Sequence, residues 1–189
     1  MRMTTIWVLT MAVFSLMAFA AGCAQAAEGR APGKVLVAYF SWGGNTREIA
    51  NQVHARVGGD LFEIETVNAY PAEYRACADI AKKEQNENAR PALSTAVENM
   101  DAYDVVFIGY PIWWGTTPMA LFTFFEQYDL AGKTIVPFCT HGGSGLSRSP
   151  SDIGKLCPQS KILAGIAIRG ADVKSAQNEL QSWLEKVGF

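Results

Sequence analysis

Residues 34–50 read KVLVAYFSWGGNTREIA, and this stretch decides the fold. Lys34 to Phe40 is a short, apolar, β-rich run, and it ends in Ser41-Trp42-Gly43-Gly44-Asn45-Thr46. REIANQVHARV follows, with Ile49, Val53 and Val57 at i, i+4 and i+8, one stripe of a helix. Asn45 followed three residues later by Glu48 predicts an N-cap with its capping-box partner. The segment is therefore strand, glycine turn and helix in immediate succession.

The same alternation continues outward. Gly58-Gly59 close the helix, Asp60 to Val67 (DLFEIETV) alternates as a less buried strand, and Tyr74 to Glu87 predicts a helix. Residues 86–99, broken by Pro91, read as a loop or short helix. Asp104 to Tyr110 (DVVFIGY) is a buried strand, and MALFTFFEQY a short, very apolar helix. Thr134 to Cys139 (TIVPFC) and Lys161 to Ile168 (KILAGIAI) are the fourth and fifth strands. Asp172 to Val187 is the closing helix, with Leu180, Leu184 and Val187 on one side. Five strands separated by helices imply an α/β fold, a doubly wound five-stranded parallel sheet covered on both faces.

Length and composition agree with one domain and a real core: 189 residues, 49% hydrophobic, 18% charged, mean hydropathy +0.07. Part of that hydropathy sits in Ile6 to Gly22, an uncharged run preceded by Arg2 and followed by small residues. This is the form of a secretory signal. Ala24-Gln25-Ala26 offers a cleavage site; Ala20-Ala21-Gly22-Cys23 resembles a lipobox, with Cys23 the lipidated terminus. The division is then leader at 1–26, a short linker at 27–33 and the domain at 34–189. The chain is expected to be exported, periplasmic or membrane-anchored, touching a membrane only through the leader or a lipidated Cys23. A formal charge of −2 offers no polycationic surface for nucleic acid. Cys77, Cys139 and Cys157 cannot all pair; a Cys139–Cys157 bridge and three free buried thiols are the alternatives.

In open α/β sheets, ligands bind beyond the carboxyl ends of the strands. Three of these strand ends carry unusual loops. The first, Ser41 to Thr46, offers hydroxyls, an amide and glycine-freed N–H groups at a helix start, where a phosphate is attracted. The second, Tyr110 to Pro118, holds Trp113 and Trp114 between Pro111 and Pro118. Paired tryptophans are usually core or interface residues, yet an exposed indole there gives a stacking face. The third, Thr140-His141-Gly142-Gly143-Ser144-Gly145, brings main chain close to a ligand. A phosphate cradle with two ring-holding loops indicates a mononucleotide-like cofactor.

VLVAYFSWGGNTREIA, YDVVFIGYPIWWGTTP and FCTHGGSGLS, in this order, resemble the three cofactor loops of the flavodoxin family. YPAEY and ENARPAL between them resemble its bacterial flavodoxin-like subgroup. The resemblance spans almost everything from Lys34 to Phe189, and it implies a sheet ordered 2-1-3-4-5 and noncovalent FMN. Carried over, Ser41, Gly43, Gly44, Asn45 and Thr46 hold the FMN phosphate. Pro111, Ile112, Trp113 and Trp114 line the ring, and Thr140, His141, Gly142, Gly143 and Ser144 close its other edge. Trp42 and Gly115, in the same loops, join the cofactor-binding set. Ser41 and Gly43 depart from the T-x-T-G-x-T form of many flavodoxins, with one hydroxyl lost.

Other chemistries fit less well. Gly142-Gly143-Ser144-Gly145-Leu146 lacks the last glycine of a nucleophile elbow, and His54 and His141 are the only histidines for a triad or a metal. Neither a G-x-x-x-x-G-K-[ST] loop nor G-x-G-x-x-G follows the first strand. Redox chemistry remains: an electron carrier docking redox partner proteins, or a reductase passing hydride from NAD(P)H to a small quinone-like acceptor. The loop Tyr110-Pro111-x-x-Trp114-x-x-x-Pro118 resembles that of quinone reductases, and the three loops carry no charged residue. His141 is a weak catalytic candidate, as a hydrogen-bond or proton donor to the ring. A flavin-free interaction domain with Trp113 and Trp114 as its patch is the third reading.

Overall fold

A computed structural model of the chain describes residues 33–189. The leader at 1–26, with its alternative end at Cys23, lies outside the described residues, as does nearly all of the linker. The elements alternate as the sequence pattern predicts: β1 (Val35–Tyr39), α1 (Asn45–Val57), β2 (Asp60–Glu63), α2 (Tyr74–Asn86), β3 (Val105–Pro111) and α3 (Met119–Gln127). They continue with β4 (Thr134–His141), α4 (Ser149–Leu156), β5 (Lys161–Ile162), β6 (Ile166–Arg169) and α5 (Gln177–Val187). The six named strands pair in parallel and the order is β2-β1-β3-β4-β5, with β6 also on β4.

Side chains alternate across this sheet, so each strand feeds two cores. Leu36, Ala38, Val106, Ile108 and Ile135 face a core closed by Leu121 and Phe124 of α3 and Ile153 of α4. Val37, Tyr39, Phe107, Val136 and Phe138 face one closed by Ile49 and Val53 of α1 and Leu180 and Leu184 of α5. Each such large side chain, fully buried, stabilises the fold by roughly 1.5–3 kcal/mol. Burial on both faces is why these strands read as continuous apolar runs.

Four local expectations are corrected. The fifth strand is two short pieces rather than Lys161 to Ile168. Leu163 N–H donates to Ile135 O at 2.9 Å, and the next ladder bond would come from the N–H of residue 137, which is proline. Pairing resumes at Phe138–Ile166. The second strand stops at Glu63 instead of Val67; Thr66 instead forms an antiparallel bridge to Leu93. The closing helix starts at Gln177, after a 3-10 turn at Val173–Ser175. At α1, Asn45 is the first helical residue and no capping box forms. Gly44, left-handed at φ +87°, is the N-cap, and Glu48 Oε1 accepts from Gln52 Nε2 at 2.8 Å. The helix α4 carries little periodic signal, since Ile153 and Leu156 are its only large apolar residues. The cysteines take the free-thiol alternative: Cys77, Cys139 and Cys157 are buried and unpaired.

Candidate functional site

The carboxyl ends of β1, β3, β4 and β6 open into one cavity of about 610 Å³, within the range of small-molecule sites. The first loop reaches it through Trp42 and Asn45. Trp42 is fixed by its indole N–H, which donates to Pro71 O at 2.8 Å. Ser41 Oγ accepts from the first-turn Arg47 N–H at 3.2 Å, while the N-cap Gly44 has no side chain to reach the earlier N–H groups of Asn45 and Thr46, which lack partners within the helix. Gly43 and Gly44 face open space where a Cβ would stand. Thr46 lies beneath the loop, buried, sharing a hydrogen bond of 2.9 Å with the buried Thr140 hydroxyl. Ser41, Gly43, Gly44 and Thr46, expected at the phosphate, do not line the cavity; Trp42 and Asn45 are the first-loop residues that do.

The second loop contributes Pro111, Ile112, Trp113 and Trp114. Paired backbone bonds between Trp113 and Thr116 (2.9 and 3.1 Å) close a two-residue turn. Its central residues Trp114 (φ +49°) and Gly115 (φ +81°) are both left-handed, the signature of a type I′ turn. A tryptophan in that conformation is strained, and tertiary contacts hold it there. Its indole N–H donates to Ala78 O at 2.9 Å, and Lys82 Nζ stands 5.2 Å from the ring centroid. The two tryptophans therefore differ. Trp113 is wedged edge-on between Phe40 and Tyr70 (centroids 5.5 and 4.9 Å), whereas Trp114 is 50% exposed. Gly115 carries the turn and is absent from the lining.

Asp152 of α4 ties this loop down. Its Oδ2 accepts from Thr116 Oγ1 at 2.7 Å and pairs with Arg148 Nε at 3.0 Å. Burial works to raise the Asp152 pKa; the hydrogen bonds from Thr116, Arg148 and Lys155 outweigh it and hold the carboxyl below its ordinary range.

The third loop lines the cavity with Thr140, His141 and Gly142; Gly143 and Ser144 are exposed and outside the lining. His141 Nδ1 accepts the Gly145 N–H at 3.1 Å, so a neutral ring carries its proton on Nε2. His54, on α1, is bonded to Gly59 O at 3.1 Å and takes no part in the site.

Two walls of the cavity were not singled out by the sequence. Tyr74, Cys77, Ala78 and Ala81 of α2 form one; their i, i+3, i+4, i+7 spacing was legible as a stripe, but its destination was not. Arg169, Gly170 and Ala171, at the end of β6, form the other. The strand-end rule that found three loops applied there too. The charge of the lining comes from that fourth strand end. The three loops are uncharged, but Arg169 brings a cation into the lining, and no carboxylate lines it among the described residues. Burial pushes the Cys77 thiol up to about 11 and that of Cys139 to about 12, so neither is a ready thiolate.

Comparison with known proteins agrees with this architecture. A flavodoxin family model matches residues 34–187. A protein of Bacteroides eggerthii DSM 20697, provisionally described as a flavoprotein, is 36% identical with a TM-score of 0.74, over 82% of this chain and 98% of its own. A similarly described protein of Bacteroides uniformis ATCC 8492 is 33% identical with a TM-score of 0.73, over 82% and 99%. A flavoprotein of Lactobacillus acidophilus NCFM, solved in complex with FMN, shares the fold at 21% identity and a TM-score of 0.63, over 76% and 97%. No curated protein sequence matches the chain. With the parallel sheet in the order 2-1-3-4-5 and the family match over nearly the whole described region, the chain belongs to the flavodoxin family.

Proposed function

We propose that the chain is an FMN-binding redox protein that mediates electron transfer, with noncovalent FMN in the cavity at the carboxyl edge of the sheet. The observation that carries this reading is convergence on one cavity of a glycine-capped helix start, a tryptophan loop and a glycine loop. The donor set fits a mononucleotide. The N–H groups of Asn45 and Thr46, with the Asn45 amide and the Ser41 hydroxyl beside open glycines, suit a phosphate. Trp42, Trp113 and Trp114, with Ile112 and Pro111, suit a flat ring. Thr140 to Ser144 would close the other edge. FMN, when bound, supplies one- and two-electron transfer; the chain orients it, excludes water and offers Nε2–H of His141 as a donor. The test is colour: purified protein should be yellow and release FMN on denaturation. Colourless protein that takes up no FMN would leave the flavin-free interaction domain, with the exposed Trp114 at its patch.

A second reading, an NAD(P)H-dependent quinone-type reductase, is favoured by the absence of carboxylates from the lining and the presence of Arg169. A low-potential carrier gains from acid around its flavin, since negative charge opposes the reduced anion. Steady-state oxidation of NADH or NADPH with a quinone distinguishes the two; without it, redox partner proteins are the acceptors. Export also belongs to this proposal, as a periplasmic or membrane-anchored protein. The mass of the mature chain separates cleavage after Ala26 from lipidation at Cys23.

A further inference from the structure

We propose that Arg169 is the counter-ion for the phosphomonoester of a mononucleotide in the cavity, an inference that rests on the FMN reading above. Three observations place it there. Arg169 ends β6 in register with His141 of β4, and Gly170 N–H donates to His141 O at 3.0 Å, which ties this strand end to the third loop. A Cβ on Gly170 would stand 2.7 Å from Asn45 Nδ2, so the same segment abuts the start of α1. On the other side, a Cβ on Gly143 would stand 4.0 Å from Arg169 Nη2. Arg169 therefore lines the cavity with its guanidinium beside the glycine loop, on a segment that abuts the helix start.

Its charge is also uncommitted. Arg47, next to the first loop, is spent on Glu63 through Nε at 3.1 Å, and Arg148 on Asp152 at 3.0 Å. Arg169 has no carboxylate partner among the described residues, and it is the one permanently charged side chain on the lining. A planar guanidinium matches a phosphoryl group with two parallel hydrogen bonds, which an ammonium cannot reproduce.

The test is titration of flavin-free full chain with FMN and with riboflavin, at low and at high salt, for wild type, Arg169→Gln and Arg169→Lys. Wild type should bind FMN more tightly than riboflavin and lose part of that preference in salt. Arg169→Gln should weaken FMN by ~10- to 100-fold, the scale of one charged hydrogen-bonded contact. It should leave riboflavin within about twofold and abolish the salt effect; Arg169→Lys should recover part of it. Equal losses for both flavins, or no loss for FMN, would overturn the proposal. So would an unchanged FMN affinity with a shifted reduction potential, which would place the charge at the ring. Wild-type protein that binds neither flavin removes the FMN reading itself, a failure visible before any substitution is made.

Discussion

The hydroxyls of Thr46 and Thr140 meet at 2.9 Å with 2% and 4% of their residues exposed, and they join the start of α1 to the end of β4. Removing one of them by Thr140→Val keeps the shape but strands the other hydroxyl away from water. A buried, unsatisfied hydroxyl costs about 1–3 kcal/mol, whereas replacing both partners with isosteric methyls is close to neutral. For a domain of this size each kcal/mol lowers Tm by about 2–4 °C. Thr46→Val and Thr140→Val should therefore each lower Tm by roughly 2–12 °C. The double variant should lose clearly less than the sum, with a coupling of about 0.5–1.5 kcal/mol. Urea unfolding of the four proteins, followed by tryptophan fluorescence, reads this directly, provided the denaturant slope is the same in each. Strictly additive losses would refute the reasoning, because they would mean that the two hydroxyls do not depend on one another.

Other perturbations follow from the same contacts. Gly109→Ala should destabilise by about 1–3 kcal/mol or more, because its Cβ would stand 2.3 Å from the Phe138 ring and 3.0 Å from Tyr39 Cβ; a smaller loss in urea unfolding would show that the ring yields. Asp152 has a folded pKa below its unfolded one, so its contribution is complete above the ordinary carboxylate range and disappears as pH falls through the folded value. Asp152→Asn should accordingly cost most at pH 7 and progressively less as pH falls below the ordinary carboxylate range, as urea midpoints across an acid series would report. Glu84 has the opposite sign. Burial raises it against the hydrogen bond from Tyr70, so stability is lost as pH rises from the ordinary carboxylate range through the folded value. Glu84→Gln should match or exceed wild type at pH 7 and lose that advantage in acid. Cys139 and Cys157, buried away from the cavity lining and with raised pKa values, should react with a thiol reagent at pH 8 only as fast as the protein opens; immediate labelling of either would contradict the packing.

Local pattern was enough for the order of elements and for three loops at strand ends. A continuous apolar run means burial on both faces, a stripe at i, i+4, i+8 means one buried helix face, and glycines after a strand mean a turn; each signal is complete within about a dozen residues. Pro137 marks the limit of such reading. It interrupts not its own strand but its neighbour, β5–β6, because the missing N–H belongs to a bond between residues far apart in sequence. The same limit governs the site. The pair Trp113-Trp114 is symmetrical in sequence, and only packing against Phe40, Tyr70 and Ala78 makes one a wedge and the other an exposed face. Thr46 reads as a free hydroxyl until Thr140 is placed beside it. The chain by itself determined the layered fold and the chemistry of three uncharged loops. Tertiary structure alone decided that α2 walls the cavity and that Arg169, legible only as a residue at a strand end, stands beside the glycine loop, since both depend on where distant strand ends and helices come together.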